Sequence, residues 1–571
     1  MVRLRFGFIL IAMVLSLFGG RLIQLQGIDP RSYAEMAAAE GVEDVVLPAS
    51  RGEILDRNGE PLAGSVAGRM VVADPDMTHD DAPALATLLS NELGVDYFTV
   101  LDRLRAENSH FEYIARRVPA TEADRVLALV RERGFRGISL RDDPVRDYPA
   151  GEVAANLVGF MGIDEPLAGF ERTFDAQLSG TDGRARFTIG NGHRVPLGER
   201  SVTKAVDGQP LRTTIDRDLQ WFVQKVTEET REDYRAESAA AVVMDTRTGD
   251  LLAVADAPTF DANDPTASPE SDLGSRALSD VYEPGSVQKV LTAAALVDAG
   301  KVTARTRIKV PSNLARQDRV INDWFDHGTI RLTMAGVIAK SSNIGTVLAA
   351  DQLTAPQLAD YLSRFGLGRK TNVGVRGESR GLLHSGESMT SQDKDRIAFG
   401  QSLSVNAVQM TAAVNTIANG GVRVSPSLVL GQATTDDGTV VGTEVATKER
   451  VVSRRAARQT ALMMERVVDP EAGVAPRAQV PGYRVAGKTG TAQRVDPDCR
   501  CYDGSFSLSF GGFAPADDPR FTVYVVVHNP GVDGGGGSVA GPVFSRIMGH
   551  ALSKYRVPPT GSKPSRLPVE W

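Results

Sequence analysis

Three short motifs follow one another along a single domain-sized stretch of this chain: Ser286-Val287-Gln288-Lys289, then Ser341-Ser342-Asn343, then Lys488-Thr489-Gly490. A fold that uses all three together must bring a helix start, a turn and a strand to one point. Singly, each has an ordinary reading. A serine at a helix start is usually an N-cap, Ser-x-Asn is common in turns, and Lys-Thr-Gly can end a hairpin. Together and in this order they describe a site for serine acyl transfer.

The chemistry explains the residue types. A serine hydroxyl is a poor nucleophile until a base takes its proton. Ser286 follows the turn sequence Glu283-Pro284-Gly285 and precedes the apolar run Val287 to Ala299. It therefore sits near a helix N-terminus, where free N–H groups favour developing negative charge. Lys289 lies three residues on, on the same helical face and within reach of the Ser286 hydroxyl. Base work needs a neutral amine, so Lys289 is expected to be desolvated with a lowered pKa. Ser341 and Asn343 follow a helix-like run, Leu332 to Lys340, and offer a hydroxyl to relay a proton and an amide to hold a substrate amide. Lys488-Thr489-Gly490-Thr491 falls in Arg484 to Arg494, which reads as an edge strand. Gly487 and Gly490 allow close backbone approach there, and an edge strand can pair with an extended peptide.

At 571 residues the chain is long enough for two or three domains. A net charge of −7 argues against a nucleic-acid partner. No nucleotide-binding fingerprint and no His-Glu-x-x-His occurs, and the seven histidines are scattered, so neither metal nor cofactor is expected.

Arg3 and Arg5 precede the uncharged run Phe6 to Gly20, which extends to Leu25 at the cost of Arg21 and Gln24. The Ala37-Ala38-Ala39 pattern lies too far from this run to serve as its cleavage site. An uncleaved anchor is expected, basic end inside and the bulk of the chain outside, with a cleaved signal as the alternative. Cys499 and Cys501 permit either a local disulfide or two free thiols.

Beyond the anchor, amphipathic helices are predicted at Pro83–Leu93 and Thr121–Arg133, and another helix at Thr214–Arg231. Strands are predicted at Ala239–Asp245 and Leu251–Asp256, joined by a hairpin, and later at Leu508–Ala514 and Phe521–His528. Val543, Phe544, Ile547, Met548, Ala551, Leu552 and Tyr555 recur at helical spacing. Strands thus come from both ends of a domain whose middle is helical. The fold class is α+β, an antiparallel sheet flanked by helices.

Further motifs carry a resemblance. They are Arg51-Gly52-Glu53-Ile54-Leu55-Asp56-Arg57-Asn58-Gly59, Tyr148-Pro149-Ala150-Gly151 running into Ala155-Asn156-Leu157-Val158-Gly159-Phe160, and Gly169-Phe170-Glu171 with Leu178-Ser179-Gly180. With Tyr282-Glu283-Pro284-Gly285 before Ser286, and the ending Leu567-Pro568-Val569-Glu570-Trp571, the chain resembles the class B penicillin-binding proteins over nearly its whole length. It is most like the septal peptidoglycan transpeptidases of actinobacteria. The resemblance implies a serine β-lactamase-like catalytic domain. It divides the chain into residues 1–5 in the cytoplasm, 6–25 as transmembrane anchor, 26–206 as a non-catalytic pedestal of the dimerisation type, 209–556 as the transpeptidase domain and 557–571 as an extended tail.

The roles it implies are these. Ser286 attacks the penultimate D-alanine carbonyl of a donor stem peptide, with Lys289 as base. Ser341 returns a proton to the leaving group, and Asn343 binds the substrate amide. Lys488 attracts the substrate carboxylate, with Thr489 and Thr491 as donors beside Gly490. The N–H groups of Ser286 and Thr491 form an oxyanion hole. Arg51, Gly52 and Glu171 hold the pedestal's packing. An acceptor stem peptide takes the acyl group, and β-lactams acylate the same serine. No cofactor is implied. No glycan-polymerising domain is evident, so the family implies a membrane glycosyltransferase and other division proteins as partners.

Two stretches depart from the family pattern, Val287-Gln288 and the run Gly534 to Gly537. Competing readings are a serine β-lactamase, a non-enzymatic division scaffold or a β-lactam sensor. Within the family they are an elongation transpeptidase or a D,D-carboxypeptidase. A class A lactamase carries a Glu with Asn four residues on, between the second and third motifs, and no Glu in that interval here has one.

Overall fold

The computed structural model describes residues 2–24, 42–107, 109–190, 193–194, 200–317, 319–495, 499 and 501–571. Leu25, the Ala37-Ala38-Ala39 pattern, Asp498 and Arg500 lie outside the described residues.

The N-terminal apolar run forms a helix, Val2–Ile23. Its apolar side chains, Phe8, Leu15 and Phe18 among them, are exposed. Among the described residues no helix is long and apolar enough to cross a membrane.

The chain folds into two units that interleave in sequence. One comprises Met1–Arg51, Val66–Val145 and Ser179–Gly208, the other Gly52–Ser65, Arg146–Leu178 and Gln209–Trp571. Gly52–Ser65 and Arg146–Leu178, which the sequence reading gives to the N-terminal domain, therefore pack with the catalytic motifs. The three residues assigned to pedestal packing are divided the same way. In the first unit Arg51 donates to Ser179 Oγ at 2.9 Å. In the second, Gly52 N donates to Leu178 O at 2.8 Å, and the fully buried Glu171 accepts from Arg146 Nε at 2.6 Å.

The first unit contains a three-stranded antiparallel sheet, with Gly68–Ala73 between Glu112–Pro119 and Ile138–Asp142. Helices Ala82–Leu93, Tyr97–Leu104 and Ala120–Glu132 accompany it. Leu85, Leu88 and Leu89 on one helix, and Ala123, Val126 and Val130 on another, are the periodic apolar positions, and all are buried.

The second unit is built on five antiparallel strands: β1 (Ser238–Asp245), β2 (Leu251–Ala257), β3 (Ala486–Val495), β4 (Tyr502–Ala514) and β5 (Phe521–His528). Their spatial order is β2-β1-β5-β4-β3, so β3, with the Lys-Thr-Gly motif, is an edge strand. Every residue of β1, β2 and β5 is buried, as a sheet covered on both faces requires. The unit's helices include α1 (Arg217–Asp233), α2 (Gln288–Asp298), α3 (Met334–Ala339), α4 (Asn343–Ala350), α5 (Ser391–Phe399), α6 (Ala407–Ala418) and α7 (Ala540–Lys554), of which α1, α6 and α7 pack directly on the sheet. α1 and α7 pack on the sheet and on each other.

Two local differences matter for the site. The helix-like run from Leu332 begins as a strand, Ile330–Thr333, and turns helical only at Met334, where Thr333 Oγ1 accepts from Gly336 N at 3.0 Å. The tail after Val557 is extended but tied down. Ser565 N donates to Glu465 Oε2 at 3.1 Å, and Thr333 N donates to Val569 O at 2.9 Å. Cys499 and Cys501 form a disulfide.

Candidate active site

The first motif starts in a tight turn. Gly285–Val287 is a 3-10 turn running directly into α2. Gly285 has φ +55°, and a Cβ there would stand 2.8 Å from Thr491 O. Only glycine lets this turn lie against β3 so closely. Ser286 is thereby seated beside the third motif and is half-buried. Val287 and Gln288 are fully buried, so that departure from the family pattern faces the interior and not the cleft.

The second motif joins α3 to α4. Ser341 adopts φ +61°, a left-handed conformation that costs a non-glycine residue about 1–3 kcal/mol and persists only where neighbours enforce it. The neighbours are three consecutive residues upstream. Asp323 accepts from Ser342 Oγ at 2.7 Å and from Ile344 N at 3.0 Å. Trp324 Nε1 donates to Lys340 O at 2.9 Å, and Asn343 Nδ2 donates to Asn322 O at 2.9 Å. The Asp323 carboxylate is fully buried and also meets His327 Nε2 at 3.1 Å. The sequence reading missed this clamp. Its residues carry no periodicity, and a polar Asn-Asp pair ordinarily reads as loop.

Both motif lysines are fully buried. Lys289 Nζ donates to Ser341 O at 2.6 Å and Asn343 Oδ1 at 2.7 Å, and lies 3.4 Å from Ser341 Oγ. Lys488 Nζ lies 2.9 Å from Ser341 Oγ and 3.0 Å from Thr489 Oγ1. The Ser341 hydroxyl thus stands between two amines. It has one proton, so it donates to one nitrogen while accepting from the other, an arrangement that suits one neutral amine and one ammonium. Burial lowers Lys289 to about 7, with the Asp323 carboxylate pulling the other way. Burial, and then the charge of Lys289, hold Lys488 well below the usual lysine range.

Ser286 is not among the hydrogen-bond partners of Lys289, whose bonds go to the second motif. Asn343, expected to hold substrate, has both ends of its amide engaged within the protein, at Lys289 and Asn322.

These groups border one cleft of about 670 Å³, lined by Ser286, Ser341, Asn343, Thr489 and Thr491. Gly534 to Gly537 complete its wall. A Cβ on Gly536 would collide with Ser509 O and Gly490 O, whereas one on Gly535 would find only Thr491 Oγ1, at 3.8 Å. The glycine run is therefore a close-packed cover over β3 at one position and open at its neighbour. Among the described residues no cluster of metal-ligating side chains occurs.

The pattern of the penicillin binding protein transpeptidase domain matches residues 239–549, and that of the penicillin-binding protein dimerisation domain matches residues 46–165. The chain is 36% identical to penicillin-binding protein PbpB of Mycolicibacterium smegmatis, over 97% of this chain and 91% of that one. It is 33% identical to peptidoglycan D,D-transpeptidase FtsI of Escherichia coli, over 98% and 93%. Among solved structures it is similar to penicillin binding protein 3 of Mycobacterium tuberculosis complexed with aztreonam. The TM-score is 0.71 and the identity 31%, covering 92% of this chain and all of that one.

Proposed function

The chain belongs to the penicillin-binding transpeptidase family, and from that premise we propose how its residues carry out peptidoglycan D,D-transpeptidation. The observation that carries the assignment of roles is the convergence of Lys289 and Lys488 on Ser341 beside Ser286. Ser286 Oγ attacks the carbonyl of the penultimate D-alanine of a donor stem peptide. Neutral Lys289 takes the hydroxyl proton. The negative charge on the carbonyl oxygen is met by the N–H groups of Ser286 and Thr491, a contribution worth roughly 10²–10³ in rate per donor. The C–N bond to the last D-alanine breaks as its nitrogen receives a proton through Ser341. Lys488, Thr489 and Thr491 hold the donor's carboxylate end, and the extended donor pairs with edge strand β3. An acceptor amine then attacks the ester, a new amide forms, and Ser286 regains its proton.

The same serine would take β-lactams, as the aztreonam complex of a relative supports. The role proposed is septal, with a membrane glycosyltransferase and other division proteins as partners, as the family resemblance of the sequence implies. An elongation role is the second reading. The helix Val2–Ile23 serves as anchor in this account. The sequence carries the apolar run back to Phe6, behind Arg3 and Arg5.

The test is release of D-alanine from a synthetic stem pentapeptide by the full chain in detergent, with and without an acceptor amine. Coupled product that needs both acceptor and Ser286 supports the reading. Hydrolysis alone would make the chain a carboxypeptidase.

A further inference from the structure

One carboxylate in the cleft has no part in the transfer chemistry. Helix α5 turns a single face to the cavity: Gln392, Asp395, Arg396 and Phe399, at helical spacing, all line it. The residue that ends this helix, Gly400, accepts from Gly285 N at 2.9 Å, so the face leads up to the turn bearing Ser286. From Gly400 back to Asp395 the helix rises about 7–8 Å, close to the reach of a lysine side chain.

Asp395 is 7% exposed, yet its Oδ2 has no hydrogen-bond partner among the described residues. Among the described residues the cation paired with it is Arg316, whose Nε lies 3.8 Å away, too far for a hydrogen bond, and is itself unbonded. Arg316 gives its NH2 group to Asp351. One guanidinium therefore faces two carboxylates, and Asp395 has the weaker share. Burial raises the Asp395 carboxyl above its ordinary range, with Arg316 opposing and Asp351 adding to the rise. A buried carboxylate left in this state is unfavourable, and a ligand cation relieves it.

We propose that Asp395 is the subsite for a second ammonium group on the acceptor, carried apart from the amine that attacks the acyl-enzyme. The inference rests on the transpeptidase reading. The attacking nitrogen must be neutral at Ser286, whereas a buried carboxylate recognises a protonated one. The substrate class is then an acceptor with two amino groups.

The experiment uses the full chain in detergent, acylated from an N-acyl-D-alanyl thioester, with D-lysine and its uncharged analogue D-norleucine as competing acceptors. Penicillin acylation of each variant reports that its site is assembled. The expected preference for D-lysine is about tenfold in kcat/KM, the size of one charge-assisted contact, and Asp395→Asn brings it to about one. Arg316→Gln removes the competing cation and increases the preference. An ion pair with a structural role alone would leave the preference unmoved in both variants. That result, or no preference in the unaltered protein, overturns the proposal. Complete absence of an acyl-enzyme in the unaltered protein is a different result and overturns the transpeptidase reading along with it.

Discussion

The amino groups of Lys289 and Lys488 meet at one hydroxyl, Ser341 Oγ, from 3.4 and 2.9 Å, and both lysines are fully buried. Two ammonium groups so placed repel each other across a site with little water to screen them. The pair therefore sheds a proton near neutrality, which is what the chemistry of Ser286 needs.

A pH dependence follows. The base form of Lys289 is the neutral amine, and its pKa lies at about 7. Acylation by penicillin should rise with pH through a limb centred near 7 and level off above it. Lys289→Arg stays protonated across this range and should acylate roughly 10²–10⁴-fold more slowly. Stopped-flow acylation rates between pH 5.5 and 9 check both; a flat profile would mean that Lys289 is not the base.

Asp323 holds the turn that presents Ser341. Asp323→Ala leaves the Ser342 hydroxyl and the Ile344 N–H without their partner. A loss of about 1–3 kcal/mol in stability is expected. Acylation should also slow, because the left-handed Ser341 is no longer enforced. Thermal melts and acylation rates on one preparation measure the two effects. Unchanged acylation would remove the clamp from the account.

Neighbouring glycines in the cleft wall should differ sharply. Gly536→Ala drives a methyl group into Ser509 O and Gly490 O, while Gly535→Ala meets its nearest neighbour at 3.8 Å. Overpacking of the first kind typically costs about 1–3 kcal/mol. Gly536→Ala should lower both the melting temperature and β-lactam acylation, and Gly535→Ala should lower neither. Equal effects would contradict the packing described.

The C-terminal strap should support the second motif from behind. Trp571 Nε1 donates to Leu332 O at 3.1 Å, and Arg307 and Arg331 lie 4.9 and 5.4 Å from its ring centre. Leu332 immediately precedes the Thr333 cap of α3. Trp571→Ala should cost about 1–2 kcal/mol, seen as a lower unfolding midpoint in urea. An unchanged midpoint would show the strap to be idle.

The site was legible in the sequence where chemistry fixes residue types at close spacing. Ser286 and Lys289 are three apart on one helical face, and the glycines around Lys488 mark an edge strand, which β3 is. Apolar runs located β1, β2 and β5 to within one residue, whereas β4 begins at Tyr502, six residues before the predicted Leu508, because its first half is largely polar and exposed. Contacts made at a distance were not legible. Nothing local marks Asp323 as the clamp of the second motif, because the Ser342 hydroxyl and the Ile344 N–H that it holds lie about 20 residues on. The tail looked like a free Pro- and Ser-containing end, since its bonds go to residues far upstream, the Glu465 carboxylate and the strand Ile330–Thr333 among them. The interleaved boundary of the two units was equally hidden. Gly52–Ser65 has the composition of its neighbours and is claimed by the second unit only through pairing, as of Ile54 with Leu211.

The central claim is that Ser286 forms a lasting acyl-enzyme that waits for an amine. Time-resolved intact mass of the full chain with excess penicillin, beside Ser286→Ala, tests it most directly. The account predicts a long-lived adduct of one penicillin, present only with Ser286. A short-lived adduct with continued drug turnover, or an adduct that survives in Ser286→Ala, would contradict it.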